Sequence, residues 1–285
     1  MPKVMIPPLS PPVRPASRWS RHLPISTGFV WLAAGWSDFW SKSRLSVVYG
    51  LVVFAISICA VAGLFRLELD YVLFPALSAF LILGPLMALG LYEKSRRLSE
   101  GRVVTLRCMM FVVPRSGGQV IFAGLMLALL VLLWMRAAVI LYALFFGLLP
   151  FPGLAGVGYE LLHTAAGWGL LFMGTLVGGL FAAFAFAISV FSIPMLLNER
   201  SDAMTAMGTS MALVANNLPV MLAWGAIVLV LMVISILSGF LGLIVFFPVI
   251  GHATWHAYRT MRQDPAADRA ITALDGAQDA GNVQK

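Results

Sequence analysis

The stretch that decides the fold is Gly84-Pro85-Leu86-Met87-Ala88-Leu89-Gly90-Leu91-Tyr92-Glu93-Lys94-Ser95-Arg96-Arg97. In it, an apolar helix runs directly into a basic segment. The apolar part can cross a lipid bilayer, whereas lysine and arginine side chains cross it only at high cost. The junction therefore marks one face of a membrane and orients the neighbouring helices. It predicts an integral membrane protein and says nothing of its chemistry.

The composition supports membrane helices over a soluble fold. Hydrophobic residues make up 60% of the 285 residues and charged residues 11%, whereas an average soluble domain has about 25% charged residues. Barrel strands would alternate apolar and polar residues, but the apolar runs here are continuous. The sequence therefore predicts an all-α, polytopic membrane protein.

Six apolar segments are long enough to cross a bilayer, so we expect six transmembrane helices. They cover residues 45–65, 71–92, 119–147, 168–193, 219–237 and 240–258. Residues 27–260 are expected to form one membrane domain. The Pro-rich, basic residues 1–26 and the polar residues 261–285 are expected to be disordered tails. Residues 1–26 contain no apolar signal sequence, so the internal spans are expected to direct insertion.

The third segment is longer than one span needs, and Arg136 interrupts it. At about 1.5 Å per residue, residues 119–135 already cover about 25 Å. We interpret residues 137–149 as an extension that lies along the outer boundary or re-enters it. The alternative is a full additional span, which would invert the topology of all later segments. Residues 150–166 are expected to form an outer loop rich in glycine and proline.

Three short amphipathic segments are expected to lie on the inner face as surface helices. Each precedes a pair of spans, and the second span of each pair carries a proline near its inner end. This pattern predicts an internal repeat and a bundle with threefold pseudosymmetry. The surface helices are Thr27–Trp40, Val103–Val113 and Asp202–Ala215, and the prolines are Pro85, Pro194 and Pro248.

The basic residues predict the orientation. With the N-terminus inside and six spans, 17 of the 19 lysines and arginines lie in inner segments, and Arg66 and Arg136 lie outside. Such asymmetry indicates that both termini are in the cytoplasm. The net charge of +7 is thereby explained by topology, and we expect no nucleic-acid partner.

Three stretches resemble an uncharacterised family of bacterial integral membrane proteins known only as a domain of unknown function. They are Gly84 to Arg97, Gly251-His252-Ala253-Thr254-Trp255-His256-Ala257-Tyr258-Arg259 and Trp31-Leu32-Ala33-Ala34-Gly35-Trp36. The resemblance covers about residues 27–260 and implies a location in the bacterial cytoplasmic membrane, with no established activity. Some relatives are labelled as cytochrome c oxidase subunits. This chain has only four histidines, too few for a catalytic oxidase subunit, so the label fits at most an accessory subunit.

His252 and His256 are weak candidates for a metal site, since residues at i and i+4 share one face of a helix. No Cys-x-x-Cys motif, His-rich tract or acidic partner accompanies them in the sequence. The alternative is that both imidazoles hydrogen-bond lipid headgroups or neighbouring loops at the inner interface. We therefore expect no bound cofactor.

Basic residues after the second span are candidates for binding anionic lipid or a protein partner. A lysine or arginine gains about 1 kcal/mol near such lipids. Topology control explains the same residues without a binding function. These candidates are Lys94, Arg96, Arg97 and Arg102.

Arg136, Glu160 and His163 are candidates for a polar cluster at the outer face. Such a cluster would anchor the protein at the interface or form an entry site for an ion or solute. One specific hypothesis pairs Arg136 with a carboxylate of the outer loop.

The sequence supports three functions in descending order. The first is a structural or accessory component that binds membrane lipids or other membrane proteins, without enzymatic activity. The second is a transporter or channel for a neutral or apolar solute that uses the glycine-rich fourth span. The alternative explanation of Gly174 and Gly178 in this span is close packing against a neighbouring helix. The third is an accessory redox or metal-handling subunit. A polar, water-filled cavity would favour transport, and a solid apolar core would favour the structural role.

Overall fold

A computed structural model describes residues 19–147 and 153–262. This part of the chain is helical, and it contains no β-strand. The all-α prediction is confirmed. Predictions on residues 1–18, 148–152 and 263–285, which include most of both expected tails, lie outside the described residues.

Twelve α-helices and one 3-10 turn, Asp70–Val72, form the described structure. The helices are α1 (Thr27–Trp40), α2 (Ser43–Arg66), α3 (Leu73–Met87), α4 (Leu89–Ser99), α5 (Leu106–Met110), α6 (Gln119–Phe146), α7 (Gly153–His163), α8 (Ala165–Ser189), α9 (Ser192–Asn198), α10 (Ala203–Ala215), α11 (Leu218–Leu237) and α12 (Leu243–Arg262).

Five described helical stretches are long and apolar enough to cross a membrane: α2, α3 with α4, α6, α8 with α9, and α11. The polytopic prediction is thus confirmed, with five candidate spans where six were expected. The expected sixth span corresponds to α12, which carries His252, His256 and Arg259 from its middle to its end. These polar residues keep the mean hydropathy of α12 below that of the other five.

Two expectations for the outer side differ from the structure. Residues 137–146 continue α6 without a break, because no glycine or proline interrupts this run of helix-forming residues. They form neither a separate extension nor an additional span. The expected loop at residues 150–166 contains helix α7. Thr164 lies between the end of α7 and the start of α8 and caps the N-terminus of α8.

The three prolines of the expected repeat lie within helices. Pro194 was expected to terminate the fourth span, but α8 already ends at Ser189 and Pro194 lies in the first turn of α9. The missing N–H of a proline costs no hydrogen bond there. Pro85 and Pro248 lie inside α3 and α12. The helix that contains Pro85 is interrupted three residues later, where Ala88 separates α3 from α4.

One end of the bundle is closed by a group of packed helices that we call the cap layer. It consists of α1, α4, α9, α10 and residues 251–262 of α12, which contact one another. The first described residues also lie there, because the backbone N–H of Arg21 donates to Asn217 Oδ1 at 2.8 Å and Arg21 Nε donates to the Met261 carbonyl at 2.9 Å. The expected disordered tail is therefore ordered from Trp19 onward.

The surface helices pack in a cyclic order. α1 packs on α12, α5 on α4, and α10 on α8 and α9, so each lies on the second helical stretch of the preceding unit. A threefold internal repeat requires this order. The bounds of α1 and α10 agree closely with the predictions, but α5 is shorter than Val103–Val113, because β-branched residues before Pro114 favour extended backbone.

Close backbone approach between α12 and its neighbours depends on glycine. A Cβ atom at Gly35 of α1 would lie 2.6 Å from the Ala253 nitrogen, and one at Gly50 of α2 would lie 2.2 Å from the Ile244 carbonyl oxygen. No side chain fits at these distances. Both helices therefore pack on α12 backbone to backbone.

Replacing Gly50 with alanine should destabilise the fold, because α2 and α12 must separate to admit the methyl group. We expect a loss of about 1–3 kcal/mol, as for other overpacked sites. Thermal melting in mild detergent measures this loss of stability, with the folded fraction monitored by fluorescence-detected size-exclusion chromatography. Gly63→Ala on the same helix is the control, since no heavy atom lies within 4 Å of that position. Equal melting temperatures for the two variants would contradict this packing.

Candidate functional site

A network of polar side chains is buried where the cap layer meets α2, and it joins four helices. We call it the cap network. Four of its members, Ser46, Lys94, Ser95 and His252, are at most 1% exposed. Such burial is rare for polar groups unless they are hydrogen-bonded. The network consists of Asp38 on α1, Ser46 on α2, Lys94 and Ser95 on α4, and His252 and His256 on α12.

His252 lies at the centre of the network. Its Nε2 atom is 3.1 Å from Ser46 Oγ, and its Nδ1 atom is 2.8 Å from Ser95 Oγ. Burial, with a further contribution from the charge of Lys94, lowers the pKa of His252 to about 3. The imidazole is therefore neutral at physiological pH, and it holds α2, α4 and α12 together.

Lys94 is fully buried, contrary to the expectation that it faces lipid headgroups. Its Nζ atom donates to the Asp38 carbonyl oxygen at 2.9 Å and to Ser46 Oγ at 2.7 Å. The relative exposure of the residue is 0%. A headgroup could reach this ammonium group only if α1 and α4 separated.

Asp38 and His256 link α1 to α12 at the edge of the network. The distance from His256 Nε2 to Asp38 Oδ2 is 2.9 Å. Burial opposes ionisation of Asp38, but hydrogen bonds from His256 and Ser95 outweigh it, so the pKa of this carboxyl is lowered. Sequence reasoning missed Asp38, Ser46 and Ser95. The only available signal was a single acidic residue among the aromatic residues of α1.

The structure does not bring His252 and His256 to a common metal-binding point. Both ring nitrogens of His252 face serine hydroxyl groups, and His256 Nε2 faces Asp38. In residues 19–147 and 153–262, no three His, Cys, Asp or Glu side chains are grouped so that they could hold a metal ion. The two imidazoles instead hydrogen-bond neighbouring helices.

The other three candidate lipid ligands differ in exposure. Arg96 is buried and pairs with Glu93 at 2.7 Å. The partly exposed Arg97 pairs with the same carboxylate at 2.6 Å, and the half-exposed Arg102 pairs with Glu100 at 3.0 Å. Arg97 and Arg102 can therefore reach the surface, and lipid or partner binding by them stays a prediction.

A second polar cluster joins α9 to α12. Tyr258 Oη donates to Glu199 Oε1 at 2.6 Å, and Arg262 Nε donates to the same oxygen at 2.8 Å. Burial opposes ionisation of Glu199, but hydrogen bonds from Arg262 and Tyr258 outweigh it, so the pKa of Glu199 is lowered. This cluster fixes the end of α12 in the cap layer.

The three outer candidates are not brought together. Glu160 and His163 lie on α7, where the His163 ring stacks on Tyr159 with ring centroids 4.5 Å apart. Arg136 is exposed on α6, and no ion pair joins it to a carboxylate in the described part of the chain. The hypothesis of an Arg136 ion pair is therefore not supported by the described residues.

An apolar cleft of about 650 Å³ lies beside the cap layer, between α8 and α11. We call it the α8–α11 cleft. α3 and α12 form its inner wall, and α10 contributes to the end near the cap layer. Nearly all of its lining is apolar. Lining residues include Phe80, Pro85, Ala185, Phe186, Met221, Trp224, Phe247 and Gly251.

The cleft opens sideways, towards the surface that the spans present to lipid. Leu218, Leu222 and Leu229 of α11 line it, and each is at least half exposed. In the cyclic arrangement, α2 packs on α12 and α6 packs on α3. α11 and α8 are the corresponding third pair, and the cleft separates them.

The predicted small-residue packing on α8 lies next to this cleft. A Cβ atom at Gly178 would lie 2.9 Å from Trp134 Cη2, so Gly178 packs closely against α6. Gly174 has no neighbour within 4 Å. The cleft begins further along the helix, where Ala182 and Ala183 line it. The small residues that the sequence offered for a possible groove on this helix also included Gly179, Ala183 and Ala187. Ala183 and Ala187 line the cleft, whereas the three glycines do not.

The model of the family described as Predicted integral membrane protein (DUF2189) matches residues 73–198. This range contains α3 to α9. The match confirms the resemblance to a family of integral membrane proteins whose function is unknown. No curated protein and no solved structure matches the chain.

Burial of Lys94 predicts that its amine resists chemical modification. We expect a water-soluble acetylating reagent to modify the exposed Lys42 and to leave Lys94 unmodified in the folded protein in mild detergent. Both should react after denaturation. Peptide mass spectrometry measures the two sites in one sample, so Lys42 is an internal control. Equal modification of Lys94 before denaturation would show that α1 and α4 do not enclose it.

The lowered pKa of Glu199 predicts a loss of stability in acid. A carboxyl whose pKa is lowered by folding contributes stability above its ordinary value of 4.5, and this contribution is lost as the pH falls through the folded value. Glu199→Gln should therefore melt below the wild type at neutral pH, and the difference should shrink below about pH 4.5. The exposed Glu68 provides the control variant, Glu68→Gln. A pH-independent difference for Glu199→Gln would contradict the role of its charge.

Proposed function

We propose that the protein is an accessory component of the bacterial cytoplasmic membrane that binds membrane lipid in the α8–α11 cleft. The observation that carries this proposal is the cleft itself, with a volume of about 650 Å³. Sites for small molecules commonly have about 300–1,000 Å³ and mostly apolar walls. The cleft meets both criteria.

The location of the cleft favours lipid over other ligands. Its walls are formed mainly by α3, α8 and α11, which belong to candidate spans. In a bilayer, its sideways opening would face hydrocarbon. A polar solute would lose its hydration there without gaining hydrogen bonds from the wall. An acyl chain would instead exchange one apolar environment for another that matches its shape.

Transport of a neutral or apolar solute receives less support. The cap layer lies at one end of the cleft, and its core is filled by large buried side chains such as Trp255 and Tyr258. A route through the protein would require these helices to separate, which the cap network opposes. The redox alternative requires a free imidazole, and His252 has both ring nitrogens within hydrogen-bond distance of serines.

The distribution of exposed arginines supports a cytoplasmic position for the cap layer. They lie on or between helices at that end, as cytoplasmic segments of inner-membrane proteins require. This orientation places both ends of the described chain in the cytoplasm and agrees with the charge count. The exposed arginines at this end include Arg102, Arg107, Arg115, Arg200 and Arg259.

Filling the cleft should reduce lipid binding. Gly225 of α11 lines the cleft, and a Cβ atom there would have only Phe186 within 4 Å, so Gly225→Leu should fold with its side chain in the cleft. We expect about fivefold less lipid to be retained, because the leucine side chain takes the space in which one or two methylene groups of an acyl chain would otherwise be buried. Native mass spectrometry of the protein in mild detergent measures the retained lipid.

Gly179→Leu is the matched control, because Gly179 is exposed on α8 and has no neighbour within 4 Å. It adds the same side chain to the lipid-facing surface outside the cleft. Equal retention of lipid by the two variants would show that the lipid binds elsewhere. Absence of retained or added lipid from the wild type would reject the proposed function.

A further inference from the structure

We propose that residues 103–115, which we call the edge segment, lie in the headgroup region of the cytoplasmic leaflet. Phe111 and Val113 insert among the lipids, and Arg107 and Arg115 bind anionic headgroups. The proposal uses the cytoplasmic orientation of the cap layer proposed above. It is independent of the α8–α11 cleft, which is a separate site on other helices.

The edge segment is held at both ends, close to the ends of two candidate spans. Lys42 Nζ, directly before α2, donates to the Val104 carbonyl oxygen at 3.3 Å. At the other end, the backbone N–H of Arg115 donates to the Leu197 carbonyl oxygen at 3.2 Å, and α6 begins four residues later, at Gln119. The segment therefore runs along the edge of the bundle, at the level where α2 and α6 begin.

One side of the edge segment is packed and the other side is open. A Cβ atom at Gly90 would lie 2.2 Å from the Met109 carbonyl oxygen, so α5 packs directly on α4. The Met109 side chain is buried in this contact. On the open side, Val103, Phe111 and Val113 are each at least 71% exposed. Nothing in the described part of the chain covers these three side chains.

The position of these apolar side chains favours lipid as their cover. Single exposed apolar residues are ordinary on a protein surface, but three of them lie here within eleven residues. The open side also leads into the surface that α6 presents to lipid, where Ile121 in the first turn is 70% exposed. Apolar residues interleaved with arginines are typical of segments that lie in the membrane interface. A protein partner would have to displace lipid from this position.

Two arginines of the edge segment are free to bind an anion. Arg107 and Arg115 are exposed, and neither forms an ion pair with a carboxylate of the described residues. Arg102, just before the segment, instead pairs with Glu100. A guanidinium group matches the geometry of a phosphate and binds it through two hydrogen bonds. The anionic lipids of the cytoplasmic leaflet therefore complement these side chains in charge and in geometry.

The test titrates full-length protein in mild detergent with dioleoylphosphatidylglycerol and, separately, with dioleoylphosphatidylcholine, which has the same chains and no net charge. Native mass spectrometry measures the affinity for each lipid. We expect the wild type to prefer phosphatidylglycerol. Arg107→Gln/Arg115→Gln should lose about 25-fold in affinity for phosphatidylglycerol, about fivefold for each arginine, and should bind phosphatidylcholine as the wild type does.

Arg66→Gln/Arg136→Gln is the matched control, because it removes two other exposed arginines that lie outside the edge segment. It should keep the preference of the wild type. Equal loss of the preference in both double variants would show that net charge alone sets it, and would overturn the site. Gly225→Leu should also keep the ratio of the two affinities, so a failure of the cleft and a failure of the edge segment give different results.

A spin label tests whether the apolar side chains insert. A nitroxide is attached to Val113→Cys in protein that also carries Cys59→Ala and Cys108→Ser, and the protein is placed in nanodiscs containing phosphatidylglycerol. Electron paramagnetic resonance should show that oxygen reaches the label more readily than a water-soluble nickel chelate does. A label at Ser99→Cys, exposed at the end of α4, should show the reverse.

Three results would overturn the proposal. Equal affinity of the wild type for the two lipids would exclude recognition of the anionic headgroup. A preference that an excess of inorganic phosphate abolishes would assign the arginines to a soluble anion. A label at Val113→Cys that the nickel chelate reaches as readily as it reaches Ser99→Cys would place the edge segment in water.

Discussion

Burial of the Lys94 ammonium group is the constraint on which the cap layer depends. A charge removed from water must be fully hydrogen-bonded, or the fold loses several kcal/mol. Lys94 finds its acceptors on two other helices, the Asp38 carbonyl of α1 and the Ser46 hydroxyl of α2. Ser46 also contacts His252 of α12. One charged side chain on α4 thereby fixes the relative positions of three further helices.

The same packing leaves the α8–α11 cleft unfilled. Gly35 and Gly50 let α1 and α2 approach the backbone of α12, so this side of the bundle closes tightly. Between α8 and α11, Phe186 lies 3.9 Å from the Cβ position of Gly225 and provides the nearest contact there. Of the three corresponding helix pairs, α2 with α12 and α6 with α3 are closed, and α8 with α11 is open.

The sequence predicts the membrane helices well, because long apolar runs and their caps are local properties. The bounds of α1 were predicted to the residue, whereas α7 was missed because its glycine-rich sequence is typical of a loop. Lys94 was misplaced because a basic run after an apolar helix has the same composition whether water or protein surrounds it. The cleft exists because α8 and α11 do not pack against each other along their length. No local sequence pattern encodes the absence of such packing.

The cap network and the cleft share two helices, so the rigidity of one limits the other. Tyr92 and Gly251 line the cleft, and each is within three residues of a network member on the same helix. A Cβ atom at Gly251 would lie 2.6 Å from Leu91, so α4 and α12 are already in direct contact there. Widening the cleft at this end would break the hydrogen bonds of His252. A ligand must therefore enter from the side, between α8 and α11, where no comparable network joins the described helices.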